Sequence, residues 1–241
     1  MKDKWFAGDP AGKRDRAPDS RARELATVDS GLGRLLQAHD PGGIVAWARQ
    51  NPRALSTLSS LLFETDDLLR WRAVEALGLA AAAKAERDPE PVRNLLRRLV
   101  FSLNEDSGMA GWHSPEAIGE ILARVPALID EYGLILVSFL HQSPFARGAH
   151  WAVARAAEVR PEAFRRSVGD LVASLSSADP YLRGFAAKAL RALSWPAAKE
   201  PLQRLRDDPG ALRQYDFKSG ELQETTVGKL AQTALLTLDP P

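Results

Sequence analysis

The chain has 241 residues, 45% hydrophobic and 26% charged, a composition typical of folded globular proteins. Its 32 basic and 31 acidic side chains nearly cancel, which argues against a dedicated nucleic-acid or anionic-membrane binder, because such proteins carry a clear basic excess. The absence of cysteine excludes disulfides, thiolate nucleophiles and zinc–cysteine sites.

The first 24 residues are polar, mixed in charge and rich in Asp, Arg, Gly and Pro. This composition predicts a flexible or loosely docked tail, so we expect the folded domain to occupy residues 25–241. The chain begins without the apolar segment of a secretory signal, and no apolar run approaches the ~20 residues of a membrane span. These features predict a cytoplasmic protein without a membrane partner.

Helical periodicity then recurs along the chain, while alternating strand patterns and hairpin turns are nearly absent. Most of the predicted helices are joined in pairs by short turns. The predicted helices cover residues 52–63, 66–83, 88–104, 114–125, 126–140, 143–159, 161–177, 179–193, 196–208 and 225–238. The class predicted from this pattern is all-α.

Several of these helices begin at a residue that can cap a helix. Asp66, Ser143 and Asp179 stand where a side-chain oxygen accepts hydrogen bonds from free backbone N–H groups, and proline follows two of them. Ser114 with the proline after it repeats this pattern. We expect a helix to start at each of these positions.

The second helices of the pairs align with one another. The alignment places Arg70, Arg147 and Arg183 in one column, separated by 77 residues (147 − 70) and 36 residues (183 − 147). These separations match two repeats and one repeat of about 38 residues, a period typical of two-helix solenoids. The sequence therefore predicts a right-handed α-solenoid of about five to six helix pairs.

The aligned second helices read DDLLRWRAVEAL, SPFARGAHWAVA and DPYLRGFAAKAL. This pattern resembles D-x-x-x-R-x-x-A-x-x-A-L of HEAT-like repeats of the phycobilisome-lyase type, over about residues 27–240. The segments 68–78, 97–121 and 148–157 also resemble an uncharacterised HEAT-repeat family of anaerobic bacteria and archaea. Both resemblances imply the fold, and neither carries an activity over to this chain.

Between two predicted helices the periodicity is interrupted by EDSGMAGWH, residues 105–113. This segment is longer than a repeat turn, and insertions of this kind emerge at the edge of a solenoid, where they often serve binding. The alternative is a purely structural segment in which Trp112 fills a gap. In either case we expect Trp112 to be buried against a neighbouring repeat.

A candidate binding groove follows from this insertion and from the arginine column. Its members are Arg70, Trp112, Glu116, Glu120, Arg147, His150 and Arg183. Glu116 and Glu120 lie one helical turn apart, and burying them requires positively charged partners. We expect those partners to be Arg70 or Arg147. For the arginines, the alternative is a structural bond to the aspartate cap of the next repeat.

A second insertion, residues 207–222, separates the last two predicted helices. It contains two aromatic residues and the turn-forming sequence KSG. Because the end of a solenoid needs a cover over its exposed core, we expect this insertion to form a capping loop on the terminal repeat.

Enzyme motifs are missing from the sequence. It contains no G-x-G-x-x-G, no G-x-x-x-x-G-K-[ST] and no G-x-S-x-G, and its four histidines do not form repeated His-Glu pairs. We therefore expect no cofactor, no metal and no catalytic residue. The segment GWHSPE, residues 111–116, is weakly similar to the W-W-D-S-V-D of HEAT-like DNA glycosylases, which implies an acid role for Glu116. The near-zero net charge argues against DNA binding.

The sequence favours a non-catalytic interaction or scaffold protein. Its concave face and edge loops would bind a macromolecular partner, which we expect to be a protein, because HEAT arrays present long curved surfaces. The alternative is an enzyme or small-ligand binder with a polar groove around Glu116, including a glycosylase-type activity.

Overall fold

The structure, a computed structural model, describes residues 30–104 and 113–238. Within these ranges the chain forms twelve α-helices and one β-hairpin, which confirms the all-α solenoid. The helices are α1 Ser30–Gln37, α2 Pro41–Gln50, α3 Ala54–Ser60, α4 Asp67–Ala85, α5 Glu90–Leu103, α6 Ser114–Arg124, α7 Ile129–Ser138, α8 Ala146–Ala157, α9 Val168–Ser174, α10 Pro180–Ala192, α11 Lys199–Arg204 and α12 Val227–Leu238. The strands are β1 Ala211–Asp216 and β2 Glu221–Thr226, and 3-10 turns lie at Leu61–Phe63, Pro126–Leu128, Pro161–Ser167 and Pro196–Ala198.

The helices pack as pairs in chain order. In each of the five pairs from α3/α4 to α11/α12, the first helix contacts the second, and α1 with α2 forms an incomplete first pair. The second helices α2, α4, α6, α8, α10 and α12 pack successively on one another and form a continuous layer. Each pair therefore buries its apolar face against its neighbours, as a solenoid requires.

The core lies between the two layers, at the positions expected from helical periodicity. Five residues on the apolar faces of these helices are fully buried and a sixth is 7% exposed; they are Leu77, Leu136, Val153, Ala187, Leu190 and Leu99. Within the second-helix layer, small residues allow close approach. A Cβ at Gly119 would lie 2.5 Å from the Cα of Ala152 on α8, so only glycine fits there.

Two of the expected caps are present. The Asp66 carboxylate accepts a hydrogen bond from the Leu69 N–H at 2.8 Å, and the Asp179 carboxylate accepts one from the Tyr181 N–H at 2.9 Å. Both satisfy backbone donors that the helix itself leaves free.

The other two residues do not cap a helix, although α6 begins at Ser114 as expected. Ser143 lies before α8, and the residue at the cap position is Phe145, whose ring packs edge-on against Phe139 with centroids 5.9 Å apart. Ser114 is the first residue of α6, and its hydroxyl lies 3.0 Å from the Ser102 hydroxyl. In both cases the residue in question, or the residue at the cap position, contacts the end of the first helix of the same pair.

The hairpin differs from the capping loop expected for residues 207–222. Its two strands are antiparallel, with Ala211 opposite Thr226 and Asp216 opposite Glu221. The base of the hairpin leads directly into α12, but its turn reaches α4, where Arg72 Nε donates to the Gly220 carbonyl at 3.0 Å. The hairpin therefore extends from the last helix pair back across the second-helix layer.

Over the described ranges, no helix combines the length and the apolar character needed to cross a membrane.

Candidate functional site

The hairpin fills a groove between α4 and α10, which we call the hairpin groove. One face of β1 contacts α10, where Leu212 packs on Gly184 and Lys188 Nζ donates to Gln214 Oε1 at 3.0 Å. The opposite face contacts α4 through Tyr215. Burial lowers the pKa of Lys188, since a charge is less stable away from water. β1 is therefore held between two walls of second helices.

A cluster of polar groups fixes Tyr215 to the α4 wall. The Tyr215 hydroxyl donates to Glu75 Oε2 at 2.6 Å, and His39 Nε2 lies 2.9 Å from the same oxygen. Glu75 is 4% exposed, so its charge depends on these partners. Burial raises the pKa of the Tyr215 phenol, and the hydrogen bond to Glu75 adds to the shift. The hydroxyl therefore stays protonated and remains the donor.

Aromatic rings line the floor of the hairpin groove. The Trp71 ring stacks on Tyr215 with centroids 5.9 Å apart and contacts Trp151 at 4.9 Å. Phe217, in the hairpin turn, contacts Trp151 at 6.2 Å and lies 4.7 Å from the Arg155 guanidinium, which is positioned over its ring. Stacked and edge-on rings of this kind add to the burial of apolar surface.

Glu120 lies beneath this floor and is completely buried. Arg155 Nε donates to its Oε2 and Arg124 Nε donates to its Oε1, both at 2.7 Å. Burial raises the pKa of the Glu120 carboxyl, and the two arginines oppose that shift. The expectation that Glu120 faces Arg70 or Arg147 is therefore wrong, because two other arginines neutralise it.

Glu116 joins α6 to α8. It is 7% exposed, and its Oε1 lies 3.5 Å from His113 Nδ1. A Cβ at Gly148 would lie 2.5 Å from Glu116 Oε2, so the carboxylate packs directly against the first turn of α8. The partial positive charge at a helix N-terminus favours a carboxylate there. Trp112, whose burial the sequence predicted, lies outside the described residues.

Two of the three arginines in the column join successive repeats. Arg147 Nε donates to Asp179, the cap of α10, and Arg183 Nε donates to Asp208, in the segment before β1, at 2.8 Å. The hydrogen bond from Arg183 lowers the pKa of Asp208. Arg70 instead bonds within its own repeat. Arg147 thus has the geometry of the structural alternative, Arg183 makes an inter-repeat bond to a residue that caps no helix, and a binding role for the column stays a prediction.

His150 lies in the core between the two layers rather than in the groove where the sequence placed it. It is fully buried, with Nδ1 at 2.8 Å from the Ala146 carbonyl and Nε2 at 2.7 Å from the Ser174 hydroxyl on α9. Nδ1–H donates to the carbonyl, because a carbonyl can only accept. The Ser174 hydroxyl also lies 2.9 Å from the Asp170 carbonyl, and its single proton can serve either that carbonyl or Nε2. Burial lowers the pKa of His150.

This burial predicts a dependence of stability on pH. The unfolded histidine binds a proton near pH 6.5, whereas the folded ring resists protonation, so its contribution is complete above about pH 6.5. It is lost as the pH falls through the lowered pKa of the folded state. We expect His150→Gln to flatten the pH dependence of the free energy of unfolding below about pH 6.5, measured by urea denaturation. The exposed His141→Gln is the control, and an equal effect of both changes would contradict the assignment.

The residues that form the hairpin groove were mostly missed by the sequence analysis. Trp71 and Trp151 stand in two of the aligned second-helix sequences, but neither they nor Glu75, Arg155 and Lys188 were assigned to a site. A weak indication was available, since Glu75 and Arg155 each follow a tryptophan by four residues and so share its helix face.

Comparisons with known proteins support the fold and little more. No family model matches the chain. A protein of Archaeoglobus fulgidus, described as uncharacterized, is 30% identical over 117 residues, which are 48% of this chain and 61% of that protein. The match thus spans less than two thirds of the relative's length.

Solved structures of repeat proteins superpose on most of the chain. An engineered protein from the Northeast Structural Genomics Consortium has a TM-score of 0.50 and 22% identity, over 91% of this chain and 95% of its own. A designed armadillo repeat protein has a TM-score of 0.47 and 20% identity, over 91% of this chain and 99% of its own. The first likeness shows that the chain has the fold of a helical repeat solenoid.

Proposed function

We propose that this chain is a HEAT-like, non-catalytic interaction protein that binds a protein partner along its second helices and the loops at the solenoid edge. The observation that supports the proposal is that the second helices bind an extended segment of their own chain, the β-hairpin. They do so with an arginine, a lysine, a carboxylate and a tryptophan, which contact a backbone carbonyl, an amide oxygen, a hydroxyl and a tyrosine ring of the hairpin. Side chains of these kinds suit recognition of an extended chain.

The HEAT-like assignment rests on the second helices. The Asp and Arg of the repeat pattern have a structural reason here, because Asp179 caps α10 while Arg147 of the preceding repeat bonds to it. The pattern's Asp is thus a helix cap and its Arg bonds to the cap of the next repeat. These two roles support a HEAT-like repeat in which each unit is linked to the next.

The partner binds at the mouth of the hairpin groove. By the mouth we mean the solvent-facing side of the groove, which β2 forms. β1 lies deeper, with Leu212 and Tyr215 buried, whereas Glu221, Gln223 and Glu224 of β2 are exposed. A ligand site around Glu116, the alternative function, has less support, because that carboxylate is packed against α8 rather than facing open space.

Site-specific photo-cross-linking tests the proposal. A benzophenone amino acid placed at Gln223, at the mouth, is expected to give a discrete adduct with one protein in the producing cells. The same amino acid at Arg97, exposed on the outer helix α5, is the matched control and is expected to give none. Equal adducts at both positions, or no adduct at Gln223, would refute partner binding at the mouth. Measuring affinity with the purified partner then checks the assignment.

A further inference from the structure

One edge of the hairpin has backbone groups that no described residue satisfies. The Val227 N–H donates to the Gly210 carbonyl at 2.9 Å, which makes these two residues a hydrogen-bonded pair. Pairs alternate along an antiparallel ladder, so Gln223 and Gln214 form a hydrogen-bonded pair, while Glu224 lies in a non-hydrogen-bonded pair. The N–H and carbonyl of Glu224 therefore point away from β1.

The same alternation holds at both edges. On β1, the pattern requires the Arg213 N–H to point outward, and it donates to the Tyr181 hydroxyl on α10 at 3.2 Å. On β2, the pattern directs the N–H and carbonyl groups of Leu222 and Glu224 outward. In residues 30–104 and 113–238 no hydrogen bond reaches these groups. β1 is thus closed by α10, whereas the outward edge of β2 has no partner among the described residues, and we call it the open edge.

The open edge is held in place and exposed. An isolated two-stranded hairpin is marginally stable in water, but here Tyr215 and Phe217 anchor it to α4 and α8. Glu221 of β2 is fixed by Arg72 Nη2 at 2.7 Å. An added strand would therefore meet a preformed template, which lowers the ordering cost of binding.

We propose that the open edge of β2, residues 221–226, receives an extended segment of the partner protein as a third strand. The proposal rests on the proposed function and specifies its binding mode. Main-chain hydrogen bonds to Leu222 and Glu224 give the affinity, as in other cases of strand addition. Side chains that alternate between the two faces give the specificity.

The negative charge of the β2 edge determines which side chains the third strand needs. β2 contains two glutamates and no basic residue; Glu221 is neutralised by Arg72, whereas Glu224 forms no ion pair with a described residue. A second copy of this chain would place one acidic strand beside another, which is unfavourable. The occupant is therefore a partner segment with Lys or Arg opposite Glu224.

Amide hydrogen exchange on the full-length chain tests the edge directly. The probe is a synthetic seven-residue peptide of alternating threonine and lysine, and its control has glutamate in place of lysine. The lysine peptide is expected to slow exchange at Leu222 and Glu224 and to leave Gln223, already bonded to β1, unchanged. The control should need an about fivefold higher concentration or more. Protection of none of these amides, or protection elsewhere only, would overturn the proposal.

Two variants separate the contribution of the outward Glu224 N–H from that of the Glu224 charge. Glu224→Pro removes the outward N–H at an edge position where proline is tolerated, and Glu224→Gln keeps the N–H and removes the charge. Proline is expected to weaken the lysine peptide about tenfold or more, whereas glutamine should mainly abolish the preference for lysine over glutamate. Unchanged binding by Glu224→Pro would overturn strand addition. If Glu224→Pro still cross-links the partner at Gln223, the proposed function stands but strand addition does not. If the chain without this substitution gives no adduct at Gln223, the proposed function itself is refuted.

Discussion

Leu77→Ala is expected to lower the free energy of unfolding by about 2–5 kcal/mol, the usual loss when a buried leucine is truncated. Leu77 is fully buried on α4, in the second-helix layer, where close packing with α6 leaves little room for neighbours to fill a cavity. The same loss is expected for Leu190→Ala on α10, near the other end of the array. Urea denaturation followed by circular dichroism measures both.

The control for these truncations is Leu236→Ala, on α12, where the side chain is 73% exposed. Its effect should stay within about 0.5 kcal/mol, because surface changes away from special contacts have small effects. A loss below that value for Leu77→Ala would mean that the apolar faces have been assigned wrongly. A fall in denaturant slope in one variant alone would show that the two ends of the solenoid unfold separately.

The solenoid could be predicted from the sequence because its determinants are local and repeated. The helical periodicity, the caps at Asp66 and Asp179 and the period of about 38 residues each depend on short stretches of chain. The core faces followed from the same periodicity. Where the chain packs an aromatic residue at the cap position instead, as Phe145 does after Ser143, the local pattern gave the wrong residue.

The hairpin could not be predicted for a physical reason. A strand with one buried face shows alternation of apolar and polar residues, but both faces of β1 contact helices, with Leu212 on α10 and Tyr215 on α4. Their spacing of three residues therefore does not fit a half-buried strand, in which apolar residues recur at every second position, and instead matches a helical spacing. The turn also lacks an Asn-Gly or Asp-Gly pair, and the long-range contacts to α4 leave no local trace.

The candidate site was predicted only in part. Glu116 and Glu120 were expected to line a groove, but both are buried, and Glu120 has the arginine partners that its burial requires. Which arginine reaches it depends on the distance between α6 and α8, and Gly119 makes that distance short. Periodicity indicates the face of a helix, but it does not give the separation of two helices that are far apart in sequence.

Arg155→Met is expected to destabilise the protein by about 3 kcal/mol or more, the cost of removing one partner from a buried ion pair. The change leaves the fully buried Glu120 with Arg124 as its remaining partner among the described residues. It also removes the guanidinium from the Phe217 ring, which loosens the hairpin turn. Urea denaturation at neutral pH measures the loss.

The double replacement of Glu120 and Arg155 by methionine is the informative comparison. Because it removes the buried charge together with its partner, it should recover much of the stability that Arg155→Met loses, and the two single changes should not add. Arg204→Met, in an exposed pair with Glu200, is the control and should change stability by less than about 0.5 kcal/mol. Additive losses would show that Arg155 acts through packing alone. Recovery would establish that the charge of Glu120 makes this arginine necessary beneath the hairpin groove.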